Sequence, residues 1–370
     1  MPKLEVVGVS KYYGRIAALD DISLEVKDKE YVCIIGPSGC GKSTLIKCIA
    51  GIIQPDAGEI FIDDQRIQHI SIEDRKIGYV FQDIALFPHM TVRDNLAYGL
   101  TVRDERSDHI ASVTNEMLDL IKMRERSKSF PSELSGGAQQ KVAVARAIAT
   151  GSYLFLLDEP LGALDALVRA ELRYELKQLA KDLRLTIIHV THDQEEALSI
   201  ADRVVIMKQG RIVETGTPAE VYLRPKNLFT ENFVGETNIL GAEITGTDPD
   251  HCFVKIGSWR FSLPPFERKI GDRVVAAIRP EFLQLRTPTG ETESELTGTI
   301  NQVAFLGSIT RYGIETDAGF PLIGHQATTS GSTQFNVGDA VTIVVDRKHM
   351  LLFNSPAEGL EKELALEASA

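Results

Sequence analysis

Hydrophobic and polar positions change period in blocks along this chain. LEVVGVS (residues 4–10) and LDDISLEVK (19–27) alternate apolar with polar residues, which predicts strands joined through a turn around Gly14. YVCIIG (31–36) is short, apolar and rich in β-branched side chains, the pattern of a buried strand. KSTLIKCIAG (42–51) has helix-period apolar positions and stops at Gly51. GEIFI (58–62) and IGYVF (77–81) predict two more strands. A charged, helix-periodic stretch over 91–128 then predicts a helical insertion, taken as about 91–135. Residues 132–150 begin with a Ser/Gly turn and continue as a helix. LFLLDEP (154–160) is an apolar strand ending in two carboxylates, 166–183 is a charged helix, and the strand TIIHV runs into the polar THDQEEA.

From about residue 236 the pattern changes. CFVKIG, WRFSL, RVVAAIRP, LTGTINQVAFLG, AVTIVV and MLLFN are short alternating segments separated by Gly, Pro, Asp and Thr turns, with no long helix between them. Such spacing predicts a small β-barrel or sandwich. The chain therefore divides into an α/β domain at 1–235, an all-β domain at 236–355, and an acidic tail at 356–370 that is expected to fray.

Composition adds limits rather than direction. At 370 residues the chain can bury two cores, and its 43% hydrophobic and 25% charged residues are ordinary for a globular protein. The net charge of −12 argues against a nucleic-acid partner. No apolar run approaches the roughly 18–20 residues that span a bilayer, and MPKLEVVGVSK has no apolar signal core. The chain is thus expected to stay on the side of the membrane where it is made. Cys33, Cys40, Cys48 and Cys252 lack C-x-x-C spacing, so reduced buried thiols are expected.

The chemistry concentrates at GPSGCGKST, residues 36–44, which fits the phosphate-binding loop pattern G-x-x-x-x-G-K-[ST]. It stands between a predicted strand and a predicted helix. There Gly36, Pro37, Ser38, Gly39, Cys40 and Gly41 can turn backbone N–H groups toward phosphate oxygens at a positive helix end. Lys42 reaches the outer phosphates, Ser43 closes the pattern and can hold Mg²⁺, and Thr44 follows it. The acids at the tip of LFLLDEP supply the other half: Asp158 positions Mg²⁺ and Glu159 orients or deprotonates water. His192 lies beyond the next strand tip, within range of a terminal phosphate. Tyr12 and Tyr13 flank a turn, where one ring can either stack on a base or serve as an ordinary strand aromatic. A solvent-facing Cys40 thiol would make nucleotide binding sensitive to alkylation; a buried one would be inert.

Together these motifs resemble the ATP-binding-cassette (ABC) ATPases, and within them the importer subunits. The likeness covers residues 1 to about 355: Tyr13, the loop at 36–44, Gln82 in GYVFQ, LSGG at 134–137, LFLLDE at 154–159, ALD at 163–165 and VTH at 190–192. The implied fold is an α/β P-loop NTPase cassette with a helical subdomain, followed by an all-β oligomer-binding-type regulatory barrel. AAIRPE (276–281) and VAFLGSITRY (303–312) carry the second likeness. The implied roles are adenine stacking by Tyr13 and contact of Gln82 with Mg²⁺ or the attacking water. Ser135, Gly136 and Gly137 would bind the γ-phosphate of ATP held by a second copy, with Asp165 at the dimer interface. This has a physical basis: two helix N-termini are available and one triphosphate has one terminal phosphate, so a twofold head-to-tail dimer uses both. Two departures stand out, Ala138 in place of the usual Gln and Gly162 where Ser is frequent.

The resemblance implies an ATP- and Mg²⁺-dependent subunit at the cytoplasmic face of the membrane. Its partners would be two transmembrane permease subunits and, indirectly, a solute-binding protein. The segment 84–92 would dock the permeases. Residues 191–240 look most like the polyamine and ferric-iron branch, with sugar and oxyanion importers as alternatives. A soluble, non-transport ABC ATPase is the rival class; it would show a second cassette, a coiled coil or a basic tail.

Overall fold

The computed structural model describes residues 4–83, 85–162, 164–288, 296–329 and 333–365. The chain divides into two compact units between Val221 and Tyr222.

In the first unit, β1 (Leu4–Tyr13) and β2 (Ile16–Val26) pair antiparallel around Gly14, whose φ is +63°. β3 (Tyr31–Ile35) is buried at every position, and α1 (Lys42–Ala50) ends at Gly51 in the left-handed conformation. β4 (Ala57–Ile62) and β5 (Gln65–Arg66) complete a four-stranded antiparallel sheet in the order β2-β1-β4-β5. β6 (Ile77–Val80) leads into a helical region of α2 (Val92–Val102), α3 (Ser107–Leu120) and α4 (Gly136–Ala149). A capping box between Thr91 and Asp94 starts α2, and Val92, Leu96, Leu118, Val142 and Ala145 give the region its own core.

The chain then returns through β7 (Leu154–Asp158), α5 (Ala166–Asp182), β8 (Thr186–Val190) and α6 (Gln194–Ile200). Two strands that hydrophobic pattern alone did not mark, β9 (Arg203–Lys208) and β10 (Arg211–Gly216), precede α7 (Pro218–Leu223). The second sheet has six strands in the order β10-β9-β3-β8-β7-β6, parallel except for β10. Ile34 and Asp158 both pair with Val190, so the carboxyl ends of β3, β7 and β8 finish level. The loops that follow them must meet outside the sheet edge, where open parallel sheets bind ligands.

The second unit opens with α8 (Leu228–Val234), followed by β11 (Asn238–Thr247), β12 (Cys252–Ile256), β13 (Trp259–Leu263), β14 (Arg273–Ile278) and β15 (Leu283–Arg286). β16 (Leu296–Phe305), β17 (Ile309–Thr316), β18 (Pro321–Ala327), β19 (Ala340–Val345) and β20 (Leu351–Asn354) follow. They form two five-stranded antiparallel sheets, β13-β12-β11-β14-β20 and β15-β19-β16-β17-β18, around one core containing Ile244, Val254, Ala276, Ile300, Tyr312 and Val341. Alternation marks strands but not α8, so the expected division at 235/236 lies past a helix that packs on this unit: Leu228 sits against Val275 and Phe353. In AAIRPE, Arg279 is 2% exposed and pairs with Glu231 of α8 at 3.0 Å, with its guanidinium over the Tyr222 ring. A short helix, α9 (Leu360–Leu364), forms, and Leu364 packs against the same cluster. Residues 366–370 lie outside the described residues.

Candidate active site

Residues 36–44 wrap from β3 into α1. Gly39 and Gly41 take φ of +76° and +106°, and Gly41 is the N-cap of α1, with no side-chain cap among the described residues. The first-turn N–H groups are therefore available to an anion. Close packing gives the glycines a second purpose: a Cβ on Gly36 would lie 2.3 Å from the Met207 carbonyl oxygen, and one on Gly41 2.2 Å from that of Ala18. Lys42 is buried inside the loop, its ammonium donating to the carbonyls of Gly36 at 2.8 Å and Pro37 at 2.9 Å. Ser38 and Gly39 are exposed, whereas Cys40 is buried and burial pushes its thiol pKa up. The solvent-facing thiol that alkylation sensitivity required is absent at Cys40, and all four cysteines are free and buried.

Ser43 sits one residue into α1 and donates from Oγ to Asp158 Oδ1 at 3.0 Å. Tyr79, from β6, donates to the other oxygen of Asp158 at 3.1 Å, and burial followed by that carboxylate raises its pKa well above the usual phenol value. A hydroxyl and one carboxylate are hard oxygen donors suited to Mg²⁺, but too few to hold it without water or substrate phosphates. Consistent with that, no group of three or more His, Cys, Asp or Glu could hold a metal among the described residues.

Glu159 follows with φ of +48°, rare for a residue with a side chain, and its N–H is tied to the Val190 carbonyl at 2.9 Å. This turn brings its carboxylate between two neighbours. Gln82 Nε2 donates to Oε2 at 3.2 Å, and His192 Nδ1 lies 3.1 Å from the same oxygen. The structure thus gathers Ser43, Gln82, Asp158, Glu159 and His192 from the ends of four adjacent strands. Tyr13 is about half exposed at the end of β1.

His189 was not singled out by the sequence, yet it is fully buried below this cluster. Its Nδ1 is 2.9 Å from the Tyr31 hydroxyl, and its Nε2 lies 3.3 Å from Glu196 without hydrogen-bond alignment. Burial holds its pKa below the usual value. Its position in the apolar TIIHV strand was the available signal.

Ser135, Gly136 and Gly137 open α4. The Ser135 Oγ accepts from the Ala138 N–H at 3.4 Å, and Ser135 and Gly136 are exposed. No hydrogen bond joins residues 135–137 to residues 36–44 among the described residues. Neither following glutamine replaces the one missing at Ala138: Gln139 donates to the carbonyls of Pro131 and Leu134, and Gln140 is buried. Asp165 caps α5, its Oδ1 accepting from Val168 at 3.1 Å. A Cβ on Gly162 would meet only ordinary contacts, 3.5 Å or more, so serine there would fit. Ala163 lies outside the described residues.

The segment expected to dock permeases begins at Ile84, also outside the described residues. The remainder is firmly held. Asn95, fully buried, bonds the N–H and C=O of Phe87 and the carbonyls of Met90 and Thr91. Arg146 donates to the Ala85 carbonyl and lies over the Phe87 ring. Neither residue was legible as a brace in the sequence. No helix among the described residues is long and apolar enough to cross a membrane.

Residues 19–162 match the ABC transporter family and residues 276–353 the TOBE domain. A sulfate/thiosulfate import ATP-binding protein, CysA 2 of Chromobacterium violaceum, is 46% identical over 83% of this chain and 82% of its own. A spermidine/putrescine import ATP-binding protein, PotA of Thermotoga maritima, is 39% identical over 86% of this chain and 88% of its own. Among solved structures, a dimeric ATP-binding cassette in a post-hydrolysis state bound to ADP and Pi is 30% identical. It covers 58% of this chain and 98% of its own at a TM-score of 0.52.

Proposed function

The chain belongs to the ATP-binding subunits of ABC transporters, and from that premise we propose how its residues carry out transport-coupled ATP hydrolysis. The observation that carries the reading is the Glu159 carboxylate, held by Gln82 and His192 beside the Ser43–Asp158 pair. ATP lies along residues 36–44, with Tyr13 against the adenine. Lys42 exchanges its two loop carbonyls for β- and γ-phosphate oxygens, gaining charge-assisted bonds. Mg²⁺, when bound, would neutralise phosphate charge; Ser43, Asp158 and Gln82 are the residues that would hold it. Glu159 accepts the proton of the attacking water, and His192 fixes that carboxylate and meets the terminal phosphate.

A second copy of the chain supplies Ser135, Gly136 and Gly137 to each γ-phosphate, with Asp165 at the contact. The dimeric cassette bound to ADP and Pi supports this reading. ATP thus holds a closed dimer and hydrolysis reopens it, so nucleotide energy becomes a shift between two conformations. Two permease subunits take up that motion through the braced segment 85–92, which makes the subunit a peripheral protein at the cytoplasmic face. A solute-binding protein acts only through the permeases.

The substrate reading is a polyamine, supported by the spermidine/putrescine relative. An oxyanion is the second reading, favoured by the higher identity of the sulfate relative. Reconstitution with the copurifying membrane subunits and binding protein tests both. Spermidine should stimulate ATPase activity severalfold; stimulation by sulfate alone transfers the assignment to the second reading, and a chain indifferent to any membrane partner sinks the transport role.

A further inference from the structure

Glu159 and His192 stand on different connections. The chain leaves β7 through Glu159 and reaches α5 at Asp165; it leaves β8 through Thr191 and reaches α6 at Asp193. The two connections run side by side where their side chains meet, since a Cβ on Gly162 would stand 3.8 Å from His192 Cε1. The second is closed on its own helix. The Asp193 N–H donates to Thr191 Oγ1 at 3.0 Å, and Asp193 Oδ1 accepts from the Glu196 N–H at 3.0 Å.

Arg169, in the first turn of α5, joins the far ends of both connections. Its Nη2 donates to the Leu164 carbonyl at 2.9 Å and its Nη1 to Asp193 Oδ2 at 3.2 Å. The Arg169 and Asp193 side chains are 27% and 19% exposed, so water screens this pair less than a surface ion pair. Burial works against the Asp193 charge, yet the Glu196 N–H and the Arg169 guanidinium hold its pKa below the usual carboxylate range. Arg173, one turn further along α5, stands 3.6 Å from the same carboxylate oxygen, too far to bond. Two cations thus face Asp193, and Arg169 is the one that also grips the connection after Glu159.

We propose that Arg169 is a positioning residue for hydrolysis: its guanidinium clamps the connection ending at Asp165 to the one carrying His192, and so sets the contact between His192 and Glu159. Its importance rests on Glu159 and His192 being the hydrolytic pair proposed above. Two Nη groups in one rigid plane fix two acceptors at once, which a lysine ammonium does not. A misplacement of about 1 Å at reacting groups can cost 10²-fold in rate, so a clamp remote from the phosphates is able to control turnover. Asp165 is the residue placed at the contact with the second copy, so a shift there would reach His192 through this one side chain.

Steady-state hydrolysis by the full chain, with ring NMR of its histidines, tests the clamp. Arg169→Gln should lower kcat about tenfold and leave the KM for ATP within about twofold, because the loop at 36–44 is untouched. Arg173→Gln removes an equal charge beside Asp193 but no hydrogen bond, and should keep kcat within about twofold. Asp193→Asn keeps a capping side chain for α6; it should reproduce most of the loss and add nothing when combined with Arg169→Gln. The His192 ring signal, assigned by its absence from His192→Gln, should shift in Arg169→Gln and Asp193→Asn but not in Arg173→Gln. The buried His189 ring should stay in place throughout, the mark of an intact fold. Normal kcat in Arg169→Gln, an equal loss in Arg173→Gln, additive losses in the double variant, or lost turnover with the His192 ring unmoved would each overturn the clamp. Full turnover by His192→Gln would overturn the reading of His192 itself, and the clamp with it.

Discussion

Two helix N-termini in the first unit look equivalent in sequence, each a Ser/Gly-rich turn before a helix, and the structure treats them differently. α1 opens at Gly41 without a side-chain cap among the described residues, and the cluster of Asp158, Glu159, Gln82 and His192 forms at the neighbouring strand ends, joined to α1 through Ser43. α4 opens at Ser135 with a long 3.4 Å cap to Ala138, and Ser135 and Gly136 face solvent. Both ends carry the same helix dipole. Only the first is embedded in groups that can act on a phosphate. A long, exposed cap is easily exchanged for a phosphate oxygen, so the second end has the character of a half-site awaiting its other half. Anion affinity comes with any helix end; reaction chemistry depends on what the tertiary fold sets beside it.

The sharpest way to break this comparison is to remove each end's own contribution. Lys42→Ala should abolish measurable ATP binding, and Glu159→Gln should lower turnover by about 10²–10⁴-fold while nucleotide binding persists, the usual worth of a general base. Robust hydrolysis by Glu159→Gln would remove Glu159 from its role. Mixing two inactive chains is next. Lys42→Ala and Ser135→Arg, combined one to one, should regain about a quarter of normal activity, because half the dimers carry one intact composite site of two. No recovery, with mixed dimers demonstrated, means that α4 serves its own chain.

Smaller effects refine the contrast. Gln139→Ala removes two bonds that hold the turn before α4, so chemical denaturation should show a loss of about 1–2 kcal/mol. An unchanged midpoint would show that turn to be self-supporting. The smallest effect concerns His189. Its folded pKa lies below the unfolded value near 6.5, so the unfolded chain takes up the proton first. Its contribution is intact above about pH 6.5 and declines as pH falls below that. Thermal melts from pH 7.5 to 5.5 should show a shallower decline in His189→Gln; identical slopes would assign the acid sensitivity elsewhere.

Much of the site was legible because its parts are local. The loop at 36–44 announces itself through glycines and one lysine between a strand and a helix, and the acids at 158 and 159 through their place at the end of an apolar run. The braces were not legible. Asn95 and Arg146 look like ordinary helix polar residues, and their bonds to residues 85–91 join segments up to 61 positions apart. β9 and β10 escaped pattern reading, yet β9 pairs with β3 and presses its Met207 carbonyl against the loop at Gly36. The expected division at 235/236 and the packing division at Val221/Tyr222 differ because alternation finds strands and overlooks a seven-residue helix such as α8.

By itself the sequence determined the phosphate-loop pattern at 36–44, the pair of acids ending an apolar run, and the change from an α/β pattern to alternating strands. Those properties reside in side-chain chemistry and in periods of a few residues. Only the tertiary structure decided that Gln82, Glu159 and His192 share one carboxylate oxygen, that Cys40 is shut away, and that Gln140 is buried with its amide unpaired. Each depends on which strands lie side by side and on how closely two helices approach. Those are outcomes of packing the whole unit at once, and no window of sequence contains them.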